Sequence, residues 1–196
     1  DPEPAGTIAY IVSELARNVI EHADSKDGAF LCAQYYKKSN TIRIGIADAG
    51  VGIKKAISQS YPVETDLEAI KLALWPGITG TTRREGGSEQ NAGAGLFFIK
   101  SIALANRDFF VIYSGHTLYK ILRRKKGSQI KLNADPFKDR HSVDEKIPFW
   151  KGTVVGIDIS LDQTEEFSRL LDAIRKVYTE AVRERRKAKY RKPRFT

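Results

Sequence analysis

A row of polar groups at helical spacing, Glu14, Asn18 and His22, runs along the rim of an apolar stripe and strongly restricts how this chain can fold. Ile8, Ile11, Val12, Leu15, Ala16, Val19 and Ala23 form that stripe across residues 7–24, with Ser13, Arg17 and Glu21 opposite. The three polar groups therefore line one edge of a buried helix, where a pocket can open. A second constraint follows in Thr41–Asp48. Ile42, Ile44 and Ile46 alternate to one face, and Asp48 ends the same row with a carboxylate. An inward carboxylate needs a partner, because an unpaired buried charge is expensive.

The remaining pattern is mixed. Ala29–Tyr36 reads as a strand joined by Lys37–Asn40 to Thr41–Asp48, and Cys32 within it reads as a buried, inert thiol. Thr65 and Glu68 form a capping box for a helix to about Leu74, closed by Pro76 and Gly77. Residues 78–92 read as a loop rich in Gly and Thr, followed by an apolar helix at Leu96–Ala105. Strands are expected near Phe109–Ser114, Thr117–Leu122 and Gln129–Leu132, with an irregular connection over 133–149. A last strand, Thr153–Leu161, turns Thr153, Val155, Ile157 and Ile159 to one face. A helix with Phe167, Leu170, Leu171, Ile174, Val177 and Tyr178 inward closes the chain. This order predicts an α+β fold. It is a two-layer α/β sandwich whose mixed, mostly antiparallel sheet is covered on one face by helices.

At 196 residues the chain suits one domain, expected over residues 1–182. Residues 183–196 form a basic tail with eight basic residues against Glu184, which accounts for +7 of the net +9. The tail reads as a disordered end or a continuing helix, with docking on nucleic acid or an anionic membrane as the alternative. The absence of Met makes the chain read as a fragment or processed product. One cysteine excludes an internal disulfide and suits a cytoplasmic location. No apolar run is long enough for a membrane span.

Three boxes and one dipeptide carry chemistry: Glu14/Asn18/His22, Asp48-Ala49-Gly50-Val51-Gly52, Asn91-Ala92-Gly93-Ala94-Gly95-Leu96, and Gly152-Thr153. In this order they resemble the nucleotide pocket of the GHKL ATPases, which include topoisomerase, chaperone and mismatch-repair ATPases and the histidine and anti-sigma kinases. The resemblance covers roughly residues 7–162 and implies the Bergerat ATP-binding fold. ATP and magnesium are the ligands it implies. Asp48 would accept the adenine amine beside Thr153, with Gly50 and Gly52 making room for the ring. Gly93, Ala94, Gly95 and Leu96, at a helix start, would receive the phosphates, and Arg83 and Arg84 in the preceding loop would reach them. Asn18 is the implied magnesium ligand, and Glu14 the implied general base or water-positioning residue.

Two features qualify the subfamily. Glu21 stands where many histidine kinases carry lysine, and Asn91 where the family usually has its first glycine. His22 reads as a structural histidine. The primary expectation is an ATPase or ATP-driven switch. Phosphotransfer to a partner protein, as in anti-sigma serine kinases or histidine kinases, is the second. A nucleic-acid-associated switch working through the tail is the third. Either a partner protein or further domains of the same chain are expected.

Overall fold

The alternation that predicts Thr41–Asp48 as a half-buried strand is realised in its second half: Ile44, Ile46 and Asp48 are buried and Arg43 is exposed, while Ile42 is half-buried and Thr41, on the other face, is buried out of phase. The computed structural model describes residues 2–78, 94–123, 131–162 and 167–190. In chain order these form α1 (Pro2–Asn18), a π-helical turn (Val19–Ala23), β1 (Ala29–Tyr36), β2 (Thr41–Asp48), α2 (Gly52–Ser58) and α3 (Asp66–Ala73). Then come α4 (Gly95–Ala105), β3 (Phe110–Gly115), β4 (Thr117–Ile121), β5 (His141–Asp144), β6 (Trp150–Ser160) and α5 (Phe167–Tyr190).

The strands make one six-stranded sheet in the order β1-β2-β6-β3-β4-β5, and each neighbouring pair is antiparallel. Its central strands turn Ile44, Ile46, Phe110, Ile112, Val155 and Ile157 into the core. Helices pack against this sheet, giving the α+β two-layer architecture. α4 lies deepest, with every residue from Phe97 to Leu104 buried, and it touches β3, β6, α1 and α5. One of those residues is Lys100, whose ammonium bonds Asp139 Oδ2 at 2.7 Å and Asn133 O at 2.9 Å. That pair ties the central helix to the segment before β5, and both side chains are fully buried.

Several expectations needed correction. Cys32 is exposed, not buried. It lies on β1, which is an edge strand with all eight residues exposed. An apolar run predicts burial only if a neighbouring layer reaches it, and here the contacts of β1 are concentrated on β2. The outer strand beside β4 is β5, which lies in the stretch expected to be irregular. Of the expected strand Gln129–Leu132, Lys131 and Leu132 are not in a strand, and the first two residues lie outside the described ones. α2 was not anticipated. It is short, and Gly52 at its start has little helix propensity.

The capping box of α3 is present as expected, with Thr65 accepting from Glu68 N and the Glu68 carboxylate accepting from Thr65 N. α5 continues as helix to Tyr190, across the boundary expected at residue 183. Val182, just before the basic segment, is buried, and Arg185 within it sits over the Trp75 ring, while Arg183, Glu184, Arg186 and Lys187 are exposed. Among the described residues, no helix is long and apolar enough to cross a membrane.

Candidate functional site

Asp48 is held by the start of β6. Its Oδ1 accepts from Gly50 N at 2.9 Å and Thr153 N at 3.3 Å, and its carbonyl accepts from the Trp150 indole at 3.0 Å. Both backbone bonds to the carboxylate fall on Oδ1, so Oδ2 takes neither. Burial raises the Asp48 pKa, and the two backbone donors act against that rise. A Cβ on residue 152 would lie 2.0 Å from the Asp48 carbonyl oxygen, so the strand can approach only as glycine.

The glycines after Asp48 serve backbone packing. A Cβ on residue 50 would lie 2.0 Å from Ala23 O, the same carbonyl that accepts from Val51 N. The turn is therefore seated on the end of the π-helical turn, and Gly50 faces Ala23 rather than open space. Gly52 adopts a φ of +77°, the left-handed region that favours glycine. Ser114 locks the turn in place, accepting from Ile53 N at 3.0 Å and donating to Gly152 O at 2.7 Å.

Glu14 and Asn18 approach the start of α4. A Cβ on residue 95 would fall 2.5 Å from Glu14 Oε2 and 3.7 Å from Asn18 Oδ1. Glu14 is nearly buried and ion-paired with Arg17 one turn on. The Asn18 amide nitrogen is buried without a hydrogen-bond partner. Such an orphan is costly, and it marks a place where a ligand can supply the missing bond. The helix changes from α to π just after Asn18. π-turns of this kind are frequent at functional sites.

These two ends share one cavity of about 480 Å³. Its lining includes Glu14, Asn18, Asp48, Gly52, Ala94, Gly95, Leu96 and Thr153, drawn from segments far apart in sequence. Gly50 lies outside the lining, while Arg83, Arg84 and Gly93 fall outside the described residues. The lining also contains groups that periodicity placed elsewhere or did not single out. Arg17 and Glu21 were expected opposite the apolar stripe, yet both reach the cavity, Glu21 from the π-helical turn. Tyr10 and, from α5, Leu171 and Arg175 also contribute. The spacing of Arg17 three residues after Glu14 signals their pairing. Nothing local to Arg175 signals its place.

His22 also lines the cavity, 3.8 Å from the Glu21 carboxylate. Burial lowers its pKa, and Glu21 works in the opposite direction. The neutral ring is favoured. Among the described residues no group of three or more His, Cys, Asp or Glu side chains could hold a metal ion. At Asn18 the orphaned atom is the amide nitrogen, a donor that calls for an acceptor such as a phosphate oxygen, and the amide oxygen is the atom that could serve a hard cation.

No protein-family model matches the chain, and no curated protein matches it.

Proposed function

We propose that this chain binds Mg-ATP in the cavity between α1, α4 and the sheet, and hydrolyses it or uses it as a conformational switch. One observation carries the reading. An inward carboxylate with an unengaged oxygen, an orphaned amide and a glycine helix start line one cavity. Adenine needs an acceptor for its amine in an apolar slot, and Asp48 with Thr153 beside Ile46, Ile53 and Val155 offers that chemistry. Phosphates favour exposed backbone N–H groups at a helix N-terminus, and Ala94 and Gly95 begin α4. The same residues carry the resemblance to the GHKL ATPases, and the sheet-and-helix architecture is compatible with the Bergerat fold.

Asn18 is the residue that would hold magnesium, which supplies charge neutralisation to phosphates. Glu14 is the residue to orient or deprotonate an attacking water. Its pairing with Arg17 bears on the outcome. Glu14 has to leave that ion pair to act on a water, so retained ATP, a switch or phosphotransfer to a partner is the reading if the pair stays closed.

The test is incubation with γ-labelled ATP and magnesium, counting free phosphate and protein-bound label side by side, with Glu14→Gln as control. Free phosphate that disappears in the variant supports hydrolysis through Glu14. Label on protein, or retained ATP without turnover, supports transfer or switching. Failure to retain any nucleotide removes the proposal.

A further inference from the structure

We infer that Arg17 senses the terminal phosphate of ATP, exchanging the Glu14 carboxylate for the γ-phosphate, so that ATP opens the Glu14–Arg17 pair and ADP leaves it closed. The role rests on the nucleotide reading above, and it falls to a residue that periodicity had placed away from the buried stripe. Tyr10, Glu14 and Arg17 stand about one turn apart on one face of α1, and all three line the cavity. Glu14 is engaged at both oxygens. Its Oε1 pairs with the Arg17 guanidinium, and its Oε2 lies against Gly95 at the start of α4. An anion between a guanidinium and a helix N-terminus is the arrangement a phosphate takes, so the carboxylate stands where a phosphate would be held.

The role of Glu14 selects which phosphate. A carboxylate that orients a water for attack stands beside the γ-phosphate, and the guanidinium bonded to it is beside that phosphate too. Carboxylate and phosphate compete for the same planar fork, and the phosphate carries the larger charge. The pair is open to exchange, because the Arg17 side chain is 42% exposed against 11% for Glu14, and half-solvated pairs of this kind are weak. The Asn18 amide nitrogen, a donor without an acceptor in the same cavity, calls for the same anion. ADP ends one phosphate short of Arg17. A ligand that makes no differential contact with two arrangements cannot shift the balance between them.

A second guanidinium faces the same end of the cavity. Arg175 lines it from α5, one turn after Leu171. Burial raises the Tyr10 pKa, and the Arg17 and Arg175 charges both act against that rise, so both lie within electrostatic reach of one hydroxyl. The partner of Arg175 is Asp172 on its own helix, with side chains 63% and 73% exposed, and that pair is also weak. The terminal phosphate thus meets a cation from α1 and another from α5.

Calorimetric titration tests this, with magnesium and either ADP or the non-hydrolysable β,γ-imido analogue of ATP. The wild-type chain should prefer the ATP analogue by at least about tenfold. Arg17→Gln should remove that preference by weakening the analogue, with ADP affinity held within about twofold and the melting curve little changed. Arg17→Lys keeps the charge without the fork and should retain part of the preference. Arg175→Gln should reduce the preference by less than Arg17→Gln does, and no reduction there overturns the part given to α5. Equal affinity of the wild-type chain for both nucleotides, or a preference indifferent to Arg17→Gln, overturns the inference and leaves the nucleotide reading standing. A chain that binds neither nucleotide removes both.

Discussion

Gly95 and Glu14 meet where α4 begins, so closely that a Cβ on residue 95 would lie 2.5 Å from Glu14 Oε2. Alanine normally favours a helix over glycine, so the Gly95→Ala change sets local propensity against a clash at the cavity wall. The expected outcome is a small change in unfolding free energy, within about 1 kcal/mol, and at least about tenfold weaker ATP binding. Calorimetric titration measures the second. Unaltered affinity would mean that the start of α4 does not face the ligand.

Asp48 is gripped from β6 by Thr153 N and by the Trp150 indole. Asp48→Ala should abolish nucleotide binding. Trp150→Phe removes one hydrogen bond to the Asp48 carbonyl, and should weaken binding by about 0.5–1.5 kcal/mol. The chain has two tryptophans, so a Trp75→Phe background isolates Trp150 as a fluorescent reporter. ATP should shift its emission, and Asp48→Ala should remove the shift.

Lys100 and Asp139 form a buried ion pair under α4. Burial lowers the Lys100 pKa, and Asp139 opposes that shift. Lys100→Met leaves the Asp139 carboxylate without its cation and should cost about 3–5 kcal/mol. Lys100→Met with Asp139→Asn should recover much of that loss, since the amide oxygen can still accept from Asn133. Urea unfolding of the two variants measures both effects. Equal stability of the single and double variants would remove this account.

Asp108 is buried and accepts from Ser160 N at 2.9 Å. Burial pushes its pKa up to about 6 from an ordinary 3.8, while the Ser160 bond and Arg123 act in the other direction. A raised folded-state pKa means that the native state binds more protons between these two values. The contribution is therefore fully present below about pH 4 and lost as pH rises through about 6. Asp108→Asn keeps an acceptor for Ser160, should flatten that slope, and should add on the order of 2 kcal/mol at neutral pH. Chemical unfolding from pH 4 to 7 is the measurement.

Much of the fold is written in short-range pattern. The inward row ending in Asp48, the capping box at Thr65 and Glu68, and the parity of Thr153 with Val155 and Ile157 follow from strand and helix periods. Those periods fix which side chains share a face whatever the chain later packs against. The grouping of Glu14, Asn18, Asp48, Gly95 and Thr153 was an expectation of the resemblance to the GHKL ATPases. Periodicity puts each at the edge or end of an element but does not say which ends meet. In the structure they line one cavity.

Other features depended on what covers each face, and periodicity carries no record of that. Cys32 has the neighbours of a core residue but lies on an edge strand that the helices leave uncovered. Arg17 and Glu21 sit opposite the apolar stripe in an ideal helix, yet both line the cavity beside a π-turn whose end is seated against the Gly50 backbone. Arg175 enters the same cavity from a helix more than 150 residues after Glu14. Lys100 is solvable as a buried cation only once Asp139 arrives from another segment. In each case the deciding term is a long-range contact or a desolvation, and both exist only after the layers have closed.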